Sequence, residues 1–164
     1  MPVRLRGHHF LCILTYRGYG YTPAFVENMT AIVGQIAGGR PVQLGEGPDA
    51  VCGGLTADDR SACNHDCGKA ETRELDHVAV AEIGQALGID FARPLIIDQP
   101  MVGLLRSAFA DRSIRSACRR CPWSDFCTEI AAEAFSATKL FPPDAGWQLP
   151  SSNREAAVAE PVET

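Results

Sequence analysis

A mainly helical α+β fold is what this sequence predicts, with four or five helices and two or three short strands around a cysteine-ligated metal site. Three observations predict it. Apolar residues recur at helical spacing in several separate stretches, short apolar runs bounded by turn residues fit strands, and seven cysteines crowd a chain of 164 residues. A chain of that length can bury a real core as one domain. The globular part is expected over residues 1–141. Residues 142–164, rich in Pro, Ser, Ala and Glu and without periodicity, are expected to be a disordered tail.

Taken in order, Val3 to Leu5 fits a short strand, and His8 to Tyr16 is a largely apolar element that the pattern alone does not assign to helix or strand. Thr22 and Pro23 are an N-cap and a first helical residue, and Phe25, Val26, Met29, Ile32, Val33 and Ile36 then recur at helical spacing until Gly38 and Gly39 stop the run. Pro41 to Leu44 fits a second strand. Residues 45–74 read as a long irregular loop carrying Cys52, Cys63 and Cys67, a length that metal ligation would justify. Asp76 to Leu87 predicts a helix stopped by Gly88, and Leu95 to Ile97 a candidate strand. Asp98 caps a helix with Met101, Leu104, Leu105, Ala108 and Phe109 on one stripe. A last helix starts at Ser124 or Asp125 and runs to about Ala137.

The net charge of −5 argues against a dedicated nucleic-acid binder, which would carry a basic face. Arg106, Arg112, Arg115, Arg119 and Arg120 nevertheless concentrate beside the late cysteines, so a redox partner protein is expected to dock near Arg115, Arg119 and Arg120. The plainer reading of these arginines is a solvated helix face. An odd number of cysteines does not suit a secreted disulfide scaffold, and the apolar run Phe10 to Leu14 is too short for a signal core. No stretch approaches the roughly 20 apolar residues of a membrane span. The expectation is a reduced, cytoplasmic protein whose thiols hold a metal.

The chemistry concentrates in Cys118-Arg-Arg-Cys121-Pro-Trp-Ser-Asp-Phe-Cys127. A two-residue gap lets both sulfurs of a tight turn face one centre, and the wider gap adds a third sulfur from the start of a helix. Three thiols so close point to zinc or an iron–sulfur cluster, with a fourth ligand drawn from Cys12, Cys52, Cys63 or Cys67. Cys127, Ile130, Ala131 and Ala134 share one helical face, which would put the site under an apolar lid. Cys63-Asn-His65-Asp-Cys67 also offers a Cys/His pair suited to zinc, although zinc sites more often pair two C-x2-C knuckles. Cysteine also packs as a small buried hydrophobe, but packing is a poor account of three in ten residues.

Leu5-Arg6-Gly7-His8-His9 with Cys12, then Gly18 to Met29, Gly47-Pro48-Asp49 leading into Cys52, and finally Cys118, Cys121, Trp123 and Cys127 carry a resemblance. In this order, over roughly residues 3–135, the chain resembles the uncharacterised bacterial and archaeal domain-of-unknown-function family numbered twelve eighty-four. Its members are regarded as iron–sulfur binding, so the resemblance implies an iron–sulfur cluster rather than zinc. It implies Cys118, Cys121 and Cys127 as ligands with Cys63 or Cys52 as the fourth. Many relatives have a second C-x2-C starting at the position of Cys52, where this chain has Leu55, and Cys67 is an addition to the pattern.

His8 and His9 are the second unusual feature. Neighbouring histidines point in different directions, so the two are not expected to share a metal. One could ligate, donate to a sulfur or carry a proton, whereas the plain role is helix capping or core satisfaction. His65 and His77 carry little signal. Cys12 is also a conceivable nucleophile with His8 at i−4. No P-loop, no dinucleotide fingerprint and no carboxylate pair on a pocket wall stands out. The leading expectation is a small iron–sulfur protein for electron transfer or redox sensing, a 4Fe-4S cluster being favoured over 2Fe-2S. The alternatives are a structural zinc module that binds a protein, and an enzyme using the metal site with Arg6, His8 and His9.

Overall fold

A computed structural model describes residues 1–20, 22–47, 49–54, 70–119, 121 and 123–143. Cys63, His65, Cys67 and Arg120 lie outside the described residues, as does the expected tail from residue 144 onward. Two three-residue strands, β1 (Val3–Leu5) and β2 (Val42–Leu44), pair in parallel with Val3 opposite Val42 and Leu5 opposite Leu44. Five helices are described: α1 (His9–Thr15), α2 (Pro23–Ala37), α3 (Ala70–Leu87), α4 (Gln99–Ala110) and α5 (Ser124–Ala132). Single 3-10 turns at Val51–Gly54 and Ser116–Cys118 complete the described elements. The α+β, mainly helical class is therefore correct.

The capping chemistry read from the sequence is present. Thr22 Oγ1 accepts the Phe25 N–H at 3.0 Å, Pro23 opens α2, and Met29, Ile32, Val33 and Ile36 are its buried face. Asp98 Oδ1 accepts the Met101 N–H at 3.0 Å and opens α4. The apolar segment from His8 resolves as α1, whose Phe10, Leu11, Ile13 and Leu14 are all buried. An element hidden all round shows no stripe, which is why periodicity did not type it.

Several boundaries move. Helix α3 begins at Ala70, six residues before Asp76, because Thr72 and Asp76 are polar residues on its buried face. Leu95 makes only an isolated antiparallel bridge to Val42, with N–H and C=O both exchanged at 2.7 Å. On α4 the stripe is rotated: Leu104 is 62% exposed, and Val102, Leu105 and Phe109 face the core. Helix α5 stops at Ala132, and no Ser124 or Asp125 side chain caps it. The chain beyond turns through positive φ at Ala134, Phe135 and Ala137, which lets Phe135 bury completely against Phe109. Burial of that ring outweighs the helical preference of the two alanines.

Two buried arginines lock the layers. Arg106 lies under the core, where it donates to the Leu14, Leu140 and Phe141 carbonyls and to Thr138 Oγ1 at 2.7–3.2 Å. Burial drops its pKa to about 10, so it stays charged at neutral pH. Arg6, fully buried, donates from Nε to Asp76 Oδ2 at 2.8 Å and thereby ties the end of β1 to α3. Gly7 permits this approach: a Cβ there would lie 2.2 Å from the Asp76 carbonyl oxygen. Among the described residues no helix is long and apolar enough to cross a membrane.

Candidate metal centre

The thiols are positioned by four elements. Helix α1 carries Cys12, the first 3-10 turn carries Cys52, the second ends at Cys118, and α5 carries Cys127. Asn28 Nδ2 on α2 donates to the Ala50 carbonyl at 2.8 Å, holding the first turn against that helix. Glu82 on α3 accepts the Ser116 N–H at 3.0 Å and the Ser116 hydroxyl at 2.5 Å, which fixes the start of the second. From Cys118 the backbone closes successive turns, the Cys121 N–H donating to the Cys118 carbonyl and the Ser124 N–H to the Cys121 carbonyl. This winding folds the C-x2-C spacing into one compact corner.

Cys12, Cys52, Cys118, Cys121 and Cys127 all line one cavity of about 140 Å³. Its wall is largely apolar, with Leu11, Tyr16, Phe25, Trp123 and Phe126 among the lining side chains. Cys12 feels the charges of Cys118, Cys121 and Cys127, so α1 brings a fourth thiol to the late cysteine cluster. Among the described residues no three His, Cys, Asp or Glu side chains converge tightly enough to grip a single ion. The sulfurs are arranged around a space and do not meet at a point.

The thiols of Cys12, Cys118, Cys121 and Cys127 are held in their protonated form. Burial pushes Cys121 up to about 11 and raises Cys12 well above the ordinary thiol range, with the neighbouring sulfurs adding to both effects. Burial also raises Cys118 and Cys127, opposed at Cys118 by the Arg115 guanidinium and at Cys127 by the hydrogen bond with Thr15. Thr15 Oγ1 lies 3.2 Å from Cys127 Sγ. A raised Cys12 and a His8 ring already bonded to Asp76 do not make an activated nucleophile pair, so that reading of Cys12 is set aside.

Arg115 is buried beside these sulfurs and is not part of a solvent-exposed basic face. Its Nη1 donates to Thr128 Oγ1 at 2.7 Å, its Nη2 to the Ser124 carbonyl at 3.1 Å, and the guanidinium stacks over Phe109 at 4.4 Å. Its buried Nε–H has no hydrogen-bond partner among the described residues. Arg106 is likewise buried, whereas Arg112 and Arg119 are exposed. The exposed basic surface is therefore smaller than the arginine count suggested.

His8 and His9 line the same cavity, and this was the least legible part of the site. The His8 and His9 rings lie 4.3 Å apart, tilted by 56°, and both line the cavity. They share one space, contrary to the expectation that neighbours diverge, because the chain turns into α1 between them. His8 Nδ1 donates to Asp76 Oδ1 at 2.6 Å and His9 Nδ1 to Asp49 Oδ2 at 2.7 Å. Burial, with the neighbouring His9, lowers the pKa of His8 to about 4. Asp49 sits at about 2, since bonds from His9 and from the Arg6 and Cys52 backbones outweigh its burial. Asp76 and Asp49 stand behind the histidines and do not themselves line the cavity. Only Asp49, next to Cys52 in the sequence motif, offered any signal.

The chain matches the family described as "Protein of unknown function (DUF1284)" over residues 20–127, about two thirds of its length. The match takes in Cys52, Cys118, Cys121 and Cys127 and leaves the Arg6 to Cys12 motif outside it. No curated protein and no solved structure matches the chain. The extent of the family match, spanning both the first 3-10 turn and the late cysteine cluster, means that the protein belongs to this family of unknown function.

Proposed function

We propose that the protein is a small iron–sulfur protein, acting in electron transfer or redox sensing, with Cys12, Cys118, Cys121 and Cys127 as the cluster ligands. The observation that carries this reading is the set of four thiols, from α1, the second 3-10 turn, the turn that follows it and α5, lining one apolar cavity. A single zinc ion draws its thiolates to about 2.3 Å from one point and leaves no space between them. A polynuclear cluster keeps its cysteines farther apart than one ion does, and the cysteines here line a shared cavity of about 140 Å³. The buried Arg115 guanidinium beside Cys118 supports the same reading, because it lowers the cost of a thiolate there.

When bound, such a cluster supplies one-electron transfer. The chain contributes the surroundings. Trp123 and Phe126 keep water from the sulfurs, Arg115 offsets their negative charge, and the Thr15 hydroxyl donates to Cys127. The ligand set drawn from the sequence placed Cys63 or Cys52 fourth. Cys12 takes that place here because it faces all three late cysteines, and Cys52 becomes a spare buried thiol on the same wall. The four-iron form remains the favoured one.

Anaerobic purification followed by an optical spectrum and iron, sulfide and zinc analysis tests this. The expected protein is brown, with iron and sulfide in equal amounts. Cys12→Ser is expected to lose most of its iron while Cys52→Ser keeps it. A colourless protein with stoichiometric zinc would sink the redox reading and favour a zinc-stabilised interaction module.

A further inference from the structure

Exposed apolar surface concentrates on α4 and the residues just before it. Of the four large hydrophobic side chains exposed among the described residues, Leu104 at 62% lies on this helix and Ile96 at 50% stands two residues before its cap. Val102, Leu105, Arg106 and Phe109 face the core, so Pro100, Gly103, Leu104 and Ser107 make up the outer stripe. Between Gln99 and Ala110 the one charged residue is Arg106, and it is buried. A solvated helix face normally carries charge, and this one carries none. Gly103 has no internal reason to be glycine. It lies inside the helix, where glycine is the poorest residue after proline, and its φ is not positive. A Cβ there would meet nothing within 4 Å.

We propose that the outer face of α4 is a self-association surface, on which a second copy of this chain seats its own α4 antiparallel, about a two-fold axis between Gly103 and Leu104. In that register Leu104 of each copy lies over Gly103 of the other, and Pro100 of each faces Ser107 of the other. The occupant is a second copy for two reasons. A large exposed side chain and the gap that receives it are neighbours on one face, which is the arrangement a two-fold contact uses twice. The seam also holds no charge, so an oppositely charged partner has nothing to recognise there and a copy of the same net charge meets no repulsion. Antiparallel helices oppose their dipoles favourably. Asp98 and Asp111, exposed at the two ends of the stripe, and Arg112 beside them form a solvated rim. A helix of 12 residues offers a seam only about 18 Å long, less than the roughly 800 Å² per partner of a standard interface needs. The pair is therefore weak and concentration-dependent.

Phe109 is the residue that α4 gives to the cysteine cavity, and it does so from the buried side, so this surface goes beyond the metal reading and is tested apart from it. The test is sedimentation of the full chain, purified anaerobically with its metal content measured first, in reducing buffer and over a wide range of concentration. The mass is expected to rise from the 17.6 kDa of one chain toward twice that value, and added salt should leave the association unchanged or strengthen it. Leu104→Glu places a carboxylate in the seam and should weaken association about tenfold or more. Gly103→Leu fills the gap at a position with open space around it. It should weaken association similarly while melting no lower than the wild type, since leucine is the better helix former. A chain that is monomeric at every concentration, which would leave α4 to some other partner, overturns the proposal. So does a dimer that both substitutions leave intact, or one that salt dissociates.

Discussion

The two walls of the cavity are finished by different means. On the histidine side the protein supplies a dense set of hydrogen bonds: His8, His9, Asp49, Asp76 and Arg6 are joined at 2.6–2.8 Å, and the Val51 and Cys52 N–H groups also donate to Asp49. On the cysteine side burial holds the Cys12, Cys118, Cys121 and Cys127 thiols protonated, and side-chain hydrogen bonds are few, the one between Thr15 and Cys127 among them. A preorganised wall holds its shape whatever occupies the cavity. On the proposed reading, a bound metal would release the protons of the cysteine wall and supply contacts to its sulfurs. Removing metal should therefore loosen the cysteine corner and leave the histidine network in place.

The sharpest way to break this contrast is Asp76→Ala. It strips the carboxylate from the fully buried Arg6 and from His8 at once. Removing one partner of a buried ion pair costs about 3–5 kcal/mol. The loss should appear in urea unfolding with metal and without it, whereas Cys118→Ser should destabilise only the metal-loaded protein. An Asp76→Ala protein destabilised only when metal is bound would show that the histidine wall is not self-supporting.

His8 gives a second test through pH. Its pKa is lowered from 6.5 to about 4, so the unfolded chain takes up a proton in that range while the folded one does not. Stability should be full above pH 6.5 and fall as the pH drops toward 4. A shift of that size amounts to roughly 3 kcal/mol. His8→Asn keeps an N–H for Asp76 and removes the titrating ring, so its stability should be nearly flat over the same window. A wild type as flat as the variant would mean that the ring is not held neutral.

How much of this was legible differs between the walls for a physical reason. Caps and stripes are local, so Thr22, Asp98 and the buried face of α2 were readable directly. The C-x2-C and C-x5-C spacings are local too, and they drew attention to Cys118, Cys121 and Cys127. The fourth thiol and both carboxylates come from far away in the chain. Asp49 reaches His9 across 40 positions and Asp76 reaches His8 across 68, separations at which spacing carries no information. Leu104 shows the opposite failure: its place on the stripe was a sound local reading, and packing turned that side of α4 outward. The role of Gly7 was invisible for the same reason as Asp76, since only the docked helix α3 explains why a side chain cannot stand there.

The finest test of the comparison is Thr15→Val, which keeps the shape of the side chain and removes the hydroxyl 3.2 Å from Cys127 Sγ. In the metal-free protein the thiol can donate elsewhere or go unbonded, so the loss should be near the low end of a single hydrogen bond, about 0.5 kcal/mol. With a metal in place Cys127 is a thiolate, and the bond it accepts becomes charge-assisted and stronger, about 1.5–3 kcal/mol. The same substitution should therefore cost more in the loaded protein, measured by unfolding with and without metal. Hydrogen bonds to ligand sulfur also raise a cluster's potential by stabilising its more negative reduced state, so Thr15→Val should lower it. Equal costs in both states would place Thr15 with the histidine wall, as a contact completed by folding and indifferent to what the thiols hold.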